Sequence, residues 1–258
     1  MSLVPVLATA FGIQALGFAI AAPLQTEKFY DLTGTITYMA CIGVSLWGLR
    51  MKPSLASLHA RKIIVSMTTL LWCGRLGSFL AYRISMDKKD SRFDKIKTNP
   101  IRFGTAWFLQ GVWCFLTAYP VYYINTCNSA SLARLNWLDA VGITFWIIGF
   151  GFEAIADWQK LAWASRVGHE RRKTEFINEG LWHISRHPNY FGEILLWTGS
   201  FITCASGVMH FSMLRALSFA VSPIFVASLL YKVSGIPLLE KSSDKKFGHL
   251  ESYKSYKK

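Results

Sequence analysis

Long apolar blocks, separated by short basic segments, set the limits on what this chain can fold into. The blocks run at about 3–22, 32–49, 63–82, 104–124, 137–158, 190–206 and 211–231. Each is near the ~20 residues with which a helix crosses ~30 Å of hydrocarbon. A segment in hydrocarbon must pair its own backbone polar groups, and a helix does this within itself. The pattern therefore predicts an all-α fold, a polytopic membrane bundle of about seven transmembrane helices. The composition agrees: 52% of the 258 residues are hydrophobic despite a net charge of +13, more apolar than an ordinary soluble domain. The first block has no basic segment ahead of it and outruns a signal-peptide core, so it is read as a span. No repeat is visible, and no polar stretch is long enough for a second domain. Residues 1–258 are read as a single transmembrane domain.

Basic residues of this abundance can signal nucleic acid. Here they sit between apolar blocks, where topology and anionic lipid account for them, so no nucleic-acid partner is expected. Seven Lys and Arg lie in 83–103, six in 159–189 and seven from Lys232 onward; with Lys28 that makes twenty-one on one side. The other side carries Arg50, Lys52, Arg61, Lys62 and Arg134. The excess places the three basic segments and the C-terminus in the cytosol, in an endoplasmic-reticulum-type or bacterial inner membrane. The tail ends SYKK, which lacks the Lys spacing of a dilysine retrieval signal. Cys41, Cys73, Cys114, Cys127 and Cys204 form no C-x-x-C pair and read as small core residues.

Ionisable groups are costly in hydrocarbon, so the few inside the blocks carry information. Arg75 lies in the middle of LLWCGRLGSFLAYR, with Trp72, Phe79 and Tyr82 on its helical face. It either pairs with Glu153 or Asp157, or contacts an anionic cofactor. The fifth block ends GFGFEAIADWQK, where Glu153, Asp157 and Lys160 recur at i, i+4 and i+7 on one face. This is either a helix-end charge cluster or the wall of a polar cavity.

The most informative run is NEGLWHISRHPNYFGEILLW, 178–197. Asn178 and Gly180 mark a turn, and Pro188 suits the first turn of a new helix. Asn189, Glu193 and Trp197 then share a face. His183, Arg186 and His187 lie just ahead of the new N-terminus, whose backbone N–H groups favour an anion. No third ligand completes a metal set around the two His, so no metal is expected.

Four motifs together resemble the steroid 5-alpha-reductase-like superfamily of membrane enzymes, in particular its DUF1295 branch. They are LW-x-x-RLG-x-x-L-x-x-R (71–83), E-x-x-ADWQK (153–160), GLW-x-x-SRHPNYFGE-x-x-x-W (180–197) and SGIPLLEK (234–241). The resemblance covers 65–258 and leaves 1–64 as divergent N-terminal spans. RHPNYFGE also looks like the matching run of sterol C14 and C7 reductases, and a related RHP-x-Y-x-G run occurs in isoprenylcysteine and phospholipid methyltransferases. The resemblance implies NADPH bound at the cytosolic side of a seven-helix bundle. Asn189 and Glu193 match residues that hydrogen-bond the nicotinamide half, and Asp157 matches an Asp that holds the cofactor. Arg75 matches an Arg facing the same pocket, and Glu153 and Lys160 line the face beside it. Arg186 and His187 are candidates for the phosphates.

The chain departs from the steroid reductases, which polarise their substrate with a Glu on the second span and a Tyr on the third. The block 32–49 holds no acid, and Trp72 stands where that Tyr would be. Tyr82 and Tyr38 are the candidate catalytic proton donors. The expected activity is NADPH-dependent reduction of a polarised C=C bond in a lipid or steroid-like molecule. The alternatives are a methyltransferase using S-adenosylmethionine and a non-catalytic lipid-binding membrane protein. Substrate and oligomeric state are not legible.

Overall fold

The computed structural model describes residues 2–48, 58–87, 93–172 and 174–258. Arg50, Lys52, Lys88, Lys89, Arg92 and Lys173, which enter the charge count above, lie outside these. Among the described residues the fold is all-α, without a strand. The helices are α1 (Val4–Leu24), α2 (Tyr30–Trp47), α3 (Ala60–Asp87), α4 (Pro100–Thr126), α5 (Trp137–Arg171), α6 (Leu181–Ile184), α7 (Pro188–Val208), α8 (Met213–Ser218), α9 (Val221–Ser228), α10 (Ile236–Phe247) and α11 (Glu251–Lys257).

Five helical stretches among the described residues are long and apolar enough to cross a membrane: Val4–Leu24, Ala60–Arg83, Trp137–Gly168, Pro188–Val208 and Met213–Phe247. Their outward faces carry large apolar side chains such as Leu16, Ile20, Leu71, Ile147 and Ile148. Water would penalise such faces, and lipid accepts them. The stretches fit an integral multi-pass membrane protein. The other two expected spans form helices, α2 and α4, that are less apolar than these five. Buried polar side chains lower their hydropathy, among them Thr33, Thr37, Gln110 and Asn125. The block expected to be the shortest, 190–206, is a full 21-residue helix. The last block is interrupted at Phe219–Ala220 and ends in a π-helical turn at Leu229–Val233.

By contacts the chain divides into two compact units. Unit 1 comprises Met1–Asp139 and Thr203–Ser222; unit 2 comprises Ala140–Ile202 and Pro223–Lys258.

Unit 1 is held by α1–α4 and by buried polar pairs at its loops. At the start of α4, Asn99 Oδ1 accepts from the amides of Ile101 and Arg102, and Pro100 takes the first helical position. Aromatic rings of Phe93, Phe103 and Trp107 fill the core against Ala21. Lys97 clamps the α3–α4 connection to buried Glu27 at 2.8 Å.

Arg61 and Lys62 correct the charge count. Both were read as loop charges, and both are buried on the first turn of α3. The Arg61 guanidinium meets Asp139 at 2.7 Å and the carbonyls of Ala133 and Arg134. Ser206 donates to the same carboxylate at 2.9 Å. Lys62 Nζ donates to the carbonyls of Asn125 and Cys127. Satisfied donors let these cations leave water. They belong to the core of unit 1, and the excess on the opposite side of the count grows accordingly.

Candidate functional site

Seven of the ten nominated residues fall in unit 2, and the order of their motifs explains how they meet. The helix α5 carries E-x-x-ADWQK and α7 begins with PNYFGE. The two run close because glycines face each other. A Cβ at Gly192 would lie 2.6 Å from the Glu153 amide nitrogen and 2.6 Å from the Gly149 carbonyl oxygen. Small residues at such a crossing let helix backbones approach in a membrane protein. Glu153 (3% exposed) and Asp157 (7%) are thereby buried on α5 at the level of the first turns of α7.

Asn189 Nδ2 reaches Asp157 Oδ1 at 3.3 Å. Asn189 and Glu193, one turn apart on α7, are both half-buried. The structure therefore brings Asp157 and Asn189 into contact and sets the backbone of Glu153 against Gly192, the neighbour of Glu193.

The preceding segment is locked onto α5 by the same two motifs. Gly180 has φ of 58°, in the region that favours glycine, and its α-carbon packs on the amide of Gln159. Gln159 Oε1 accepts from the Leu181 amide at 2.9 Å. Trp182 Nε1 donates to the Ala156 carbonyl at 2.9 Å. Lys160 Nζ then lies 4.5 Å over the Trp182 ring. Gln159 and Trp182 were not nominated from the sequence, although both stand inside the quoted motifs.

Beyond Trp182, unit 2 holds a half-open cavity of about 350 Å³. Its aromatic wall includes Trp163, Phe176, Trp182, Tyr253 and Tyr256. Phe176 stacks on Tyr256 at 5.3 Å between centroids. Its polar wall holds Lys160, Arg172, Arg186 and Lys246 against Glu175 and Glu240. The C-terminal helices close it: Tyr256 OH donates to the Trp182 carbonyl, and Lys257 Nζ pairs with Asp244 at 2.7 Å. The Asp244 carboxylate raises the Lys257 ammonium above its usual value.

Arg186 and His187 both turn to Glu240. Arg186 Nη1 bonds Glu240 Oε2, and His187 Nε2 lies 2.7 Å from Oε1. The His187 ring stacks on Tyr190 at 5.6 Å. Burial pushes the His187 imidazole below its usual 6.5, and the Glu240 carboxylate opposes that shift. The signal for Glu240 was present in SGIPLLEK, as the first acid of a basic tail.

The other nominated residues, Tyr38, Arg75 and Tyr82, belong to unit 1. Tyr38 is buried edge-on between Trp72 and Trp113, each at 5.2 Å. Arg75 is half-buried midway along α3, and Tyr82 is 51% exposed. The helix α2 starts at Tyr30, so Asp31 lies in its first turn. A carboxylate there is favoured by the helix dipole. The block 32–49 itself holds no acid, but the helix begins two residues before the block and so takes in Asp31. Asp31, Thr35 and Tyr38 share a face and line a cavity of about 40 Å³ with Trp72 and Gln110. That volume has room for a water molecule and for no larger ligand. Gln110 is 6% exposed and donates to the Tyr30 carbonyl at 3.1 Å.

The family described as "Protein of unknown function (DUF1295)" matches residues 9–258. The match reaches through the N-terminal helices as well as the four motifs. No curated protein and no solved structure matches the chain.

Proposed function

The chain belongs to the DUF1295 family, a branch of the steroid 5-alpha-reductase-like superfamily, and from that premise we propose that it is a membrane-embedded oxidoreductase that uses NADPH to reduce a polarised C=C bond of a lipid or steroid-like molecule. The observation that carries the reading is the couple between Asp157 and Asn189 in a buried, acid-lined crossing of α5 and α7. It lies on the two motifs that also build the basic, aromatic cavity.

The donor set fits such a dinucleotide. Aromatic faces suit an adenine ring, and Lys160, Arg172, Arg186 and Lys246 suit phosphates. When bound, the nicotinamide supplies hydride. Asp157 takes one N–H of the Asn189 amide, which leaves its carbonyl oxygen to accept from a carboxamide. Glu193, one turn along, offers a second acceptor. The reduction also takes up a proton; of the two nominated phenols, Tyr38 lines a space too small for a lipid and Tyr82 is 51% exposed.

S-adenosylmethionine is the weaker alternative. Its sulfonium is a cation, and cations outnumber carboxylates around the cavity. The non-catalytic reading draws its support from the block 32–49, which holds no acid; Asp31, just ahead of it, lies in the first turn of the same helix.

Detergent-purified protein should bind NADPH, with Asn189→Ala and Glu193→Ala each weakening it on the order of tenfold. A folded protein that binds S-adenosylmethionine in preference to NADPH excludes this reading.

A further inference from the structure

Glu240 stands on α10 and is the meeting point of three basic groups from two other segments. Arg186 and His187 come from the link between α6 and α7, and Lys257 comes from α11. Arg186 Nη1 bonds one carboxylate oxygen, and His187 Nε2 is 2.7 Å from the other. Lys257 Nζ lies 3.6 Å from the oxygen that Arg186 holds. The carboxylate is 19% exposed and lines the cavity that the aromatic residues form.

The two donors that best suit a phosphate are thus already engaged by an anion of the protein. A carboxylate offers one charge and two oxygens. A phosphate group offers up to two charges and three oxygens. Where the two compete for Arg186 and His187, the phosphate has the stronger charge-assisted bonds. The displaced carboxylate needs a partner, because an unpaired, partly buried charge is costly. Lys257 is within one small side-chain movement of it.

We propose that Glu240 is an internal counter-anion. It occupies Arg186 and His187 until a phosphate group of the incoming nucleotide displaces it, and Lys257 then receives it. The proposal rests on the nucleotide reading of the cavity. Glu240 then sets a threshold: a ligand without a phosphate gains too little from Arg186 and His187 to move it. It also keeps the two donors positioned before the nucleotide arrives.

The test is calorimetric titration of the detergent-purified full chain with NADPH and with inorganic pyrophosphate. Glu240→Gln keeps the size of the side chain and removes the competing charge. Both probes should bind it about five- to tenfold more tightly than they bind the natural chain, the scale of one charge-assisted hydrogen bond set free. Lys257→Gln removes the receiving partner and should weaken both about threefold. If Glu240→Gln binds NADPH equally or more weakly, Glu240 only positions Arg186, and the proposal is overturned while the NADPH reading stands. If Glu240→Gln does not fold, unchanged affinity in Lys257→Gln overturns it. If the natural chain binds neither probe, the nucleotide reading fails and this proposal fails with it.

Discussion

The amide of Asn189 donates to the carboxylate of Asp157 across 3.3 Å, and this bond joins two of the four motifs of the chain. Asp157 is 7% exposed, so its bonds are made in a setting where water competes poorly. Asp157→Ala frees the Asn189 amide to rotate. NADPH affinity should fall on the order of tenfold or more, by the loss of a charge-assisted hydrogen bond. Fluorescence titration checks this, and an unchanged affinity would remove Asp157 from the site.

The crossing that places those residues depends on Gly192. A methyl group there meets backbone atoms, 2.6 Å from both the Glu153 nitrogen and the Gly149 oxygen, and backbone cannot step aside as a flexible side chain does. Gly192→Ala should destabilise the protein by about 1–3 kcal/mol, the range for overpacking. It should also weaken NADPH, because the helices must part where Asn189 and Glu193 sit. Thermal unfolding in detergent together with titration reads both effects; a stable variant with full affinity contradicts the close crossing.

Arg61 and Asp139 form a buried pair in unit 1 with no direct part in the proposed chemistry. Asp139→Ala leaves a buried guanidinium without its counter-charge and should cost about 3–5 kcal/mol. The double variant Arg61→Met, Asp139→Leu should recover much of that loss. Denaturation of the single and double variants measures the coupling, and additive losses would show that the pair does not act as a unit.

His187 gives the site a pH dependence whose sign follows from its environment. Burial lowers its folded value below the 6.5 of the unfolded chain. Between those two values the unfolded state binds more protons, so stability is full above 6.5 and declines as pH falls through the lowered value. Glu240 opposes the shift, so Glu240→Gln should push the His187 titration lower still. An NMR titration of the imidazole in both proteins follows this, and an upward move in the variant would contradict the described contact.

The bundle was legible because hydropathy is carried by composition over twenty-residue stretches. What blurred it was local. Thr33, Thr37, Gln110 and Asn125 make α2 and α4 less apolar than the five long apolar helices. A helix can also start in polar sequence, as α2 does at Tyr30, and this hid Asp31 from a reading based on the apolar block. Buried cations were equally hidden. Arg61 and Lys62 look like loop charges until Asp139 and the carbonyls of Ala133, Asn125 and Cys127 are brought to them from residues sixty or more positions away.

The polar site was legible in part for the opposite reason. Asn189 and Glu193 share a face by spacing alone, and so do Glu153 and Asp157. Spacing could not reveal that Gln159 and Trp182 fasten α5 to the segment before α7. Nor could it reveal the roof over the cavity, because Phe176, Tyr253 and Tyr256 come from segments with no common period. Glu240 was masked by the basic residues around it, where a lone acid in a cationic tail reads as solvated charge.

The most direct test of the cofactor assignment is the nucleotide that accompanies the protein out of the membrane. The protein, extracted in mild detergent and then denatured, should release about one equivalent of NADP(H) per chain by mass spectrometry, and Asn189→Ala should release much less. Folded protein that releases S-adenosylmethionine instead, or that yields no nucleotide even after loading with NADPH, would contradict the assignment.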